Sequence, residues 1–405
     1  MVTTSDEIIR FFFSAKVDLQ RREHFRILFG CDPRARIVKD AKDADVIVRD
    51  LRHMRRTVGN FKFPRKLLPN KTFLILSLND LGSGDDTFPG LMPDEVDFRK
   101  RMANQNSRLV YLQCENEPIK SKSDSAGQPN ELYGGDNNVV RLTMPMGYIS
   151  GSKLNISYKD NDDSALFSKH MKKNPKKYRF GWSWIGTEST KKRTEMVQGL
   201  YEWADKDILW TNVSHEYRRV WPAAPYYELP GPVDSDKNIL IAAKTLSLLE
   251  HEATQQEGGL TKDVWVKLIH ADRRVVPYDK YLEYCRKSKV NIALNGVGMW
   301  CYKDSELFAY NCFCLRENHK NLEVNKLSPR DGVHHVVFSG LGDLALKIDY
   351  YLHEDEERER INDAGHQYFK SGISGGWAKH YVTGLHKYIK TGDPNSFRGL
   401  LWKTS

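Results

Sequence analysis

Cysteine is scarce in this chain: six residues among 405, with no C-x-x-C pair and no zinc-knuckle spacing. Four of them lie within or beside apolar runs, where a free thiol packs as a small apolar group. We therefore expect reduced thiols and a cytoplasmic location. The six are Cys31, Cys114, Cys285, Cys301, Cys312 and Cys314.

Long apolar segments are also absent. No run approaches the roughly 18 consecutive apolar residues that a membrane span requires. The first 23 residues contain neither an uninterrupted apolar region nor a cleavage-site pattern. The sequence predicts a soluble protein without a transmembrane segment or a signal peptide.

Several catalytic motifs are missing as well: the chain has no G-x-S-x-G, no P-loop and no H-E-x-x-H. Asp160 and Asp162 have the D-x-D spacing of some metal sites, but the polar run around them is more typical of a solvated loop. His334 and His335 are adjacent beside an apolar strand, so their side chains point to opposite faces. We predict no metal site.

Positive charge is in excess, with a formal net charge of +9. This excess favours acidic partners such as nucleotide phosphates, nucleic acid or an anionic surface. An ordinary contribution to solubility explains it equally well.

Short apolar runs alternate with helical patterns along both halves of the chain. Runs at 25–30, 45–50, 72–80 and 108–115 are continuous enough for strands buried on both faces, and the alternation resumes after residue 178. This predicts an α/β protein with two Rossmann-like domains facing a cleft. Ligands of such sheets bind outside the carboxyl ends of the strands.

A polar, lysine-rich stretch at 159–177 separates the two halves. We therefore predict an acceptor-side domain over 1–175 and a nucleotide-binding domain over 176–376. Residues 377–405 are predicted to form a tail whose helix packs back on the first domain.

The segment 295–303 joins a buried strand to a helix predicted to begin at Asp304 as its N-cap. Gly296 and Gly298 allow a sharp turn and a close approach of the backbone to a ligand. The free amides of a helix start attract phosphate, and Lys303 adds a full positive charge. The alternative is a plain turn between a strand and a helix.

The stretch 276–317, VPYDKYLEYCRKSKVNIALNGVGMWCYKDSELFAYNCFCLRE, resembles the donor-binding half of GT-B glycosyltransferases, especially the exostosin-like and CgeB-like groups. The shared features are a tyrosine-bearing helix, a strand, G-x-G-x-W and an acidic helix. DLALKIDYYLHEDEERERINDAG, 343–365, resembles the family's closing signature. The resemblance is good over about 180–370 and weaker in the first half.

The resemblance implies a glycosyltransferase that moves a sugar from a UDP- or GDP-linked donor to a hydroxyl of a glycan or glycoprotein. The donor is a co-substrate, and no other cofactor is expected. The turn from Gly296 to Lys303, with Tyr302, would hold the diphosphate. Glu306, placed in the first helical turn, would contact donor ribose or sugar hydroxyls.

A second anion-binding loop is predicted at 186–193, with Thr187, Lys192 and Arg193 as its candidates. Arg273 would border the nucleotide base. The alternatives are an ordinary helix cap and solvated surface charges.

An inverting transferase also needs a base that deprotonates the acceptor hydroxyl. Asp80 and Asp32 both follow apolar runs of the first half, and we rank Asp80 ahead; either is also typical of a turn or cap residue. Two departures from the family pattern leave the stereochemical outcome open. Asn311 replaces a glycine after the acidic helix, and Gly298 stands where many retaining enzymes have a second glutamate.

Two other functions remain open. Basic runs at 49–56 and 172–179 suit a nucleic-acid-binding protein, or a transferase that glycosylates DNA bases. The fold would also suit a GT-B-like binding module that has lost catalysis.

Overall fold

A computed structural model gives the structure of the chain. It describes residues 8–13, 22, 24–50, 55–57, 60–61, 68–77, 100–102, 104–113, 139–146, 178, 180–186, 196, 239–245, 278–295, 300–318 and 325–400. No helix in this part of the chain is long and apolar enough to cross a membrane.

The first half forms a six-stranded parallel sheet with the order β2-β1-β3-β6-β7-β8. The chain reverses its direction of travel between β1 and β3, as in doubly wound sheets. A separate antiparallel pair joins β4 to β5. The strands are β1 Ile9–Phe13, β2 Ala35–Ile37, β3 Val46–Asp50, β4 Arg55–Thr57, β5 Asn60–Phe61, β6 Thr72–Ser77, β7 Arg108–Gln113 and β8 Val139–Thr143.

The second half forms a five-stranded sheet with the order β10-β9-β11-β12-β13. All its pairs are parallel except the edge pair of β10 with β9. The strands are β9 Phe180–Gly186, β10 Ile239–Thr245, β11 Ser288–Ala293, β12 Cys314–Glu317 and β13 Val336–Phe338. The helices are α1 Tyr278–Lys287, α2 Tyr302–Ala309, α3 Gly340–His353, α4 Asp355–Ser371 and α5 Trp377–Thr391.

The two sheets confirm the predicted fold class, an α/β protein consistent with two Rossmann-like domains. Apolar side chains on both faces explain the continuous apolar runs. In β11, Val290 and Ile292 belong to a cluster that includes α3, whereas Ala293 belongs to the larger cluster that extends into the first sheet. The predicted domain boundary near residue 175 lies outside the described residues.

The last helix, α5, packs against the first half of the chain, on the helical segment Arg26–Gly30 and at the start of β7. The rings of Phe29 and Tyr381 lie 5.8 Å apart between centroids. The guanidinium of Arg34 donates to the carbonyl of Lys379 at 3.3 Å, and that of Arg108 donates to carbonyls in the last turn of α5. Because Arg34 precedes β2 and Arg108 begins β7, the helix is anchored at the amino-terminal edge of the sheet.

One predicted strand is wrong. Residues 25–30 form helical backbone, with a π-helix over Arg26–Gly30, and the first strand is instead Ile9–Phe13. The apolar run is real, since Ile27, Leu28 and Phe29 are buried. A short apolar run fits a buried helical turn as well as a buried strand, so periodicity could not separate the two.

Candidate functional site

The carboxyl ends of β9 and β11 lie side by side. The strands pair in parallel, with Ser183 opposite Asn291, so they end at nearly the same level at Gly186 and Ala293. The two predicted anion-binding loops, 186–193 and 295–303, therefore begin at adjacent strand ends. Crevices at such strand ends are the usual ligand sites of parallel α/β sheets.

The helix after the second loop begins earlier than predicted. α2 begins at Tyr302, with Cys301 as its extended N-cap residue. Asp304 is thus the third helical residue rather than the N-cap, and its Oδ2 accepts the backbone N–H of Cys301 at 2.6 Å. This is the reciprocal half of a capping box, in which the side chain of the third residue satisfies the N-cap amide. The shift places Glu306 in the second turn, not the first.

Lys303 lies in the first turn of α2 and reaches towards β9. Its ammonium nitrogen is 5.9 Å from the centroid of the Trp184 ring, within the range of a cation–π contact. Trp184 is buried in the carboxyl-terminal half of β9. The positive charge predicted for one loop is therefore directed to the strand from which the other loop starts.

Glu306 is buried against α1. Its Oε2 accepts a hydrogen bond from the hydroxyl of Tyr281 at 2.7 Å, and only 7% of the residue is exposed. Tyr281 fixes one carboxylate oxygen in a defined position. We did not select Tyr281 from the sequence, although its place in the tyrosine-bearing helix before the strand was a usable signal.

A buried ion pair lies beneath the start of α2. Arg316 of β12 donates from Nη1 to Oδ1 of Asp304 at 2.7 Å and from Nη2 to Oδ1 of Asn295 at 3.1 Å. Both charged side chains are fully buried. The guanidinium carbon also lies 4.5 Å from the centroid of the Trp300 ring. Arg316 thus ties together the two ends of the 295–303 segment.

Glu317 and Asn318 hold the same segment from the end of β12. The backbone N–H of Asn295 donates to Oε2 of Glu317 at 2.9 Å, and its side-chain amide donates to the carbonyl of Asn318 at 3.1 Å. Burial raises the pKa of Asp304, and the charge and hydrogen bond of Arg316 oppose that shift. Sequence reasoning missed this network; the signal was an Arg-Glu pair ending a strand with an apolar start.

Asp32 does not lie where it was expected. It precedes β2 at the amino-terminal edge of the first sheet, because residues 25–30 are helical. Its two carboxylate oxygens accept the side chain of Arg34 at 2.9 and 2.8 Å. Burial raises the pKa of Asp32, but the hydrogen bonds and charge of Arg34, helped by Lys379, outweigh it and hold the pKa below its usual value. The reason for selecting Asp32 as a base is therefore lost, and its contacts are those of a structural ion pair.

Most of the other candidates stay predictions. Tyr302 is the first residue of α2. Asp80, Thr187, Lys192, Arg193, Arg273, Gly296 and Gly298 lie outside the described residues, as do Asp160 and Asp162. Within the described residues, no group of three or more His, Cys, Asp or Glu side chains is placed to hold a metal ion.

No protein-family model matches the chain, and no curated protein matches it either. The established architecture is therefore the one its own sheets show: two largely parallel α/β sheets.

Proposed function

We propose that this protein is a metal-independent GT-B type glycosyltransferase. It moves a sugar from a UDP- or GDP-linked donor to a hydroxyl of a glycan or glycoprotein. The observation that carries the proposal is the adjacency of the β9 and β11 carboxyl ends, with Lys303 spanning from α2 to Trp184 of β9. The two strands that lead into the loops of anion-binding composition thus end side by side, close to one lysine.

The chemistry requires that negative charge developing on the leaving diphosphate be stabilised. The N–H of Asp304 is bonded to Cys301, so Tyr302 and Lys303 supply the amides of the first turn of α2 that would meet phosphate. The helix dipole reinforces the attraction of this helix start for phosphate. Lys303 contributes an ammonium beside them. Thr187 and Arg193, from the loop after β9, would bind the diphosphate from the other side. Positioned donors of this kind supply a large part of catalysis in group transfer.

Donor recognition falls to Glu306. A carboxylate accepts hydrogen bonds only, which suits the hydroxyls of a ribose or a sugar. The hydrogen bond from Tyr281 orients the carboxylate before the donor arrives, so less ordering is needed on binding.

The acceptor base would come from the first domain. Asp80 follows β6, an interior strand of the first sheet, and so follows the carboxyl end of that strand. Asp32 no longer competes for this role, because Arg34 occupies its carboxylate.

The decisive experiment is a thermal-shift and hydrolysis screen of UDP, GDP and their sugar conjugates. We expect one nucleotide family to raise the melting temperature at low millimolar concentration and its sugar conjugate to be hydrolysed slowly. Lys303→Gln should weaken nucleotide binding, since a charge-assisted hydrogen bond to phosphate is worth about 1.5–3 kcal/mol, or roughly 10- to 150-fold in Kd.

Lys287→Gln is the matched control. Lys287 lies in α1 and pairs with Glu283 at the surface, so its loss should leave nucleotide binding unchanged. Equal nucleotide affinity in the two variants, or no stabilisation by any nucleotide, would remove the basis for the proposal. Nucleotide binding without donor hydrolysis would point instead to a non-catalytic binding module. A salt-sensitive shift of plain duplex DNA without nucleotide binding would point to a nucleic-acid-binding protein.

A further inference from the structure

A polar pocket lies on the outer face of α5. Its volume is about 770 Å³, and it is bounded by α5, the turn 393–400 and Lys326. Its lining shares no residue with the network at the carboxyl edge of β11. The pocket is therefore a separate feature of the molecule.

The spacing along α5 produces this face. Lys379, Thr383 and Lys387 recur every four residues and so lie along one side of the helix. Tyr381 and Leu385 belong to the buried side and pack in the core. The amphipathic helix thus places a row of cationic and hydroxyl groups on its outer side.

Two glycines set the shape of the pocket wall. A Cβ at Gly384 would lie 2.5 Å from the ring of Phe397, so α5 and the following turn approach more closely than any side chain would allow. A Cβ at Gly399 would lie 2.5 Å from Cδ of Lys326. The stem of Lys326 is held over Gly399, whose carbonyl also accepts the backbone N–H of Lys326 at 2.9 Å.

Positive charge dominates the lining. Its described lining includes Lys326, Lys379, Lys387 and Arg398, and Asp393 is the only carboxylate among the described lining residues. Oδ1 of Asp393 accepts both the backbone and the side-chain N–H of Asn395, at 2.9 Å each. The carboxylate is therefore used to shape the turn.

The cations of the pocket are not neutralised by close ion pairs in the described part of the chain; Lys379 acts on Asp32 only through its charge. No carboxylate there forms an ion pair with any of the four. His380, which also lines the pocket, has its pKa lowered by burial and then by the charges of Lys326 and Lys379. Positive charges thus gather around one concave space, and a bound anion would reduce the repulsion between them.

We propose that this pocket binds a compact ligand carrying several phosphate groups. Its volume lies in the range of about 300–1,000 Å³ that is typical of small-molecule sites. Nucleic-acid strands are instead tracked by an extended basic groove with stacking aromatic rings. The lining here gathers lysine, arginine, histidine and hydroxyl side chains around one concave space, which suits clustered phosphates. This proposal does not rest on the proposed transferase activity.

The test is calorimetric titration of the full chain with inorganic tripolyphosphate at constant ionic strength. We expect tripolyphosphate binding that is at least roughly tenfold weaker in Lys379→Ala/Lys387→Ala, because two charged donors are removed. Orthophosphate should bind more weakly than tripolyphosphate. NMR titration of the histidines should show that bound tripolyphosphate raises the pKa of His380, a change that a purely structural role for the lysines would not produce.

Two controls isolate the pocket. Lys287→Gln, which removes a surface lysine of α1 paired with Glu283, should keep its tripolyphosphate affinity. The double variant should keep its melting temperature within a few degrees, since both lysines lie on the outer side of α5. Equal affinity in the double variant and the unaltered chain would overturn the proposal. So would tight duplex-DNA binding that exceeds tripolyphosphate binding and is lost in the same double variant, because the surface would then belong to nucleic acid.

Discussion

Replacing Arg316 by methionine should be one of the most damaging single changes in the second sheet. Arg316 and Asp304 are both fully buried, and their contact is 2.7 Å. Methionine keeps the apolar stem and can pack on Trp300, but it removes the guanidinium. Asp304 would then keep its backbone contact with Cys301 and lose its ion pair with Arg316.

The expected loss follows from the contacts. Two hydrogen bonds from a charged donor are worth about 1.5–3 kcal/mol each, and a desolvated cation–π contact adds about 2 kcal/mol. The substitution also removes the cost of burying a charged guanidinium away from water, and this gain offsets part of the sum. Removing one member of a buried pair costs about 3–5 kcal/mol in comparable cases. We expect Arg316→Met to lower the free energy of unfolding by that amount.

Urea unfolding followed by tryptophan fluorescence measures the loss. Lys287→Met is the control, because its pair with Glu283 is about one-third exposed and should contribute less than about 1 kcal/mol. Adding Asp304→Leu to Arg316→Met should recover a substantial part of the stability, since the orphaned carboxylate is then gone. A loss below about 1 kcal/mol for Arg316→Met, matching the control, would refute the account of the buried pair.

Two further predictions concern packing and pH. Gly365→Ala should destabilise the fold by about 1–3 kcal/mol, because its Cβ would lie 2.4 Å from the carbonyl oxygen of His334; Gly342→Ala, with open space at its Cβ, should be neutral or stabilising in the same thermal unfolding assay. Burial, with help from nearby Arg316, lowers the pKa of His335 to about 3, so the folded state binds fewer protons than the unfolded state. The stability contributed by neutral His335 is complete above pH ~6.5 and is lost as the pH falls, by about 1.4 kcal/mol per unit. His335→Phe should flatten this slope between about pH 6.5 and 4 relative to the unaltered chain, and an unchanged slope would contradict the buried neutral imidazole.

The sheets were predictable because a strand that is buried on both faces appears in the sequence as a continuous apolar run. β3, β6 and β7 all coincide with continuous apolar runs. The wrong prediction of a strand at 25–30 has the same origin, because a single buried helical turn also appears in the sequence as a short apolar run. The predicted tail over 377–405 contains the helix α5, which runs over Trp377–Thr391.

The site was less accessible to sequence reasoning. Lys303 and Glu306 were selected from a glycine turn and a helix start, but the predicted N-cap lay three residues too late, at Asp304 instead of Cys301. An N-cap aspartate and an aspartate at the third helical position look alike when the residue before the helix is a cysteine. The pairing of Arg316 with Asp304 depends on β11 and β12 being neighbours, which no local pattern records.

The anchoring of α5 also governs when the first sheet can finish folding. Its core includes Tyr381, Leu385 and Tyr388, which are made more than 200 residues after the last strand of that sheet. A nascent chain emerges from the ribosome in order, so the surface that α5 covers stays uncovered while the whole second sheet is synthesised. During this interval the apolar side chains of the segment Arg26–Gly30 that α5 covers, Phe29 among them, stay exposed. Chaperone engagement with nascent chains should accordingly persist until residues 377–391 have emerged.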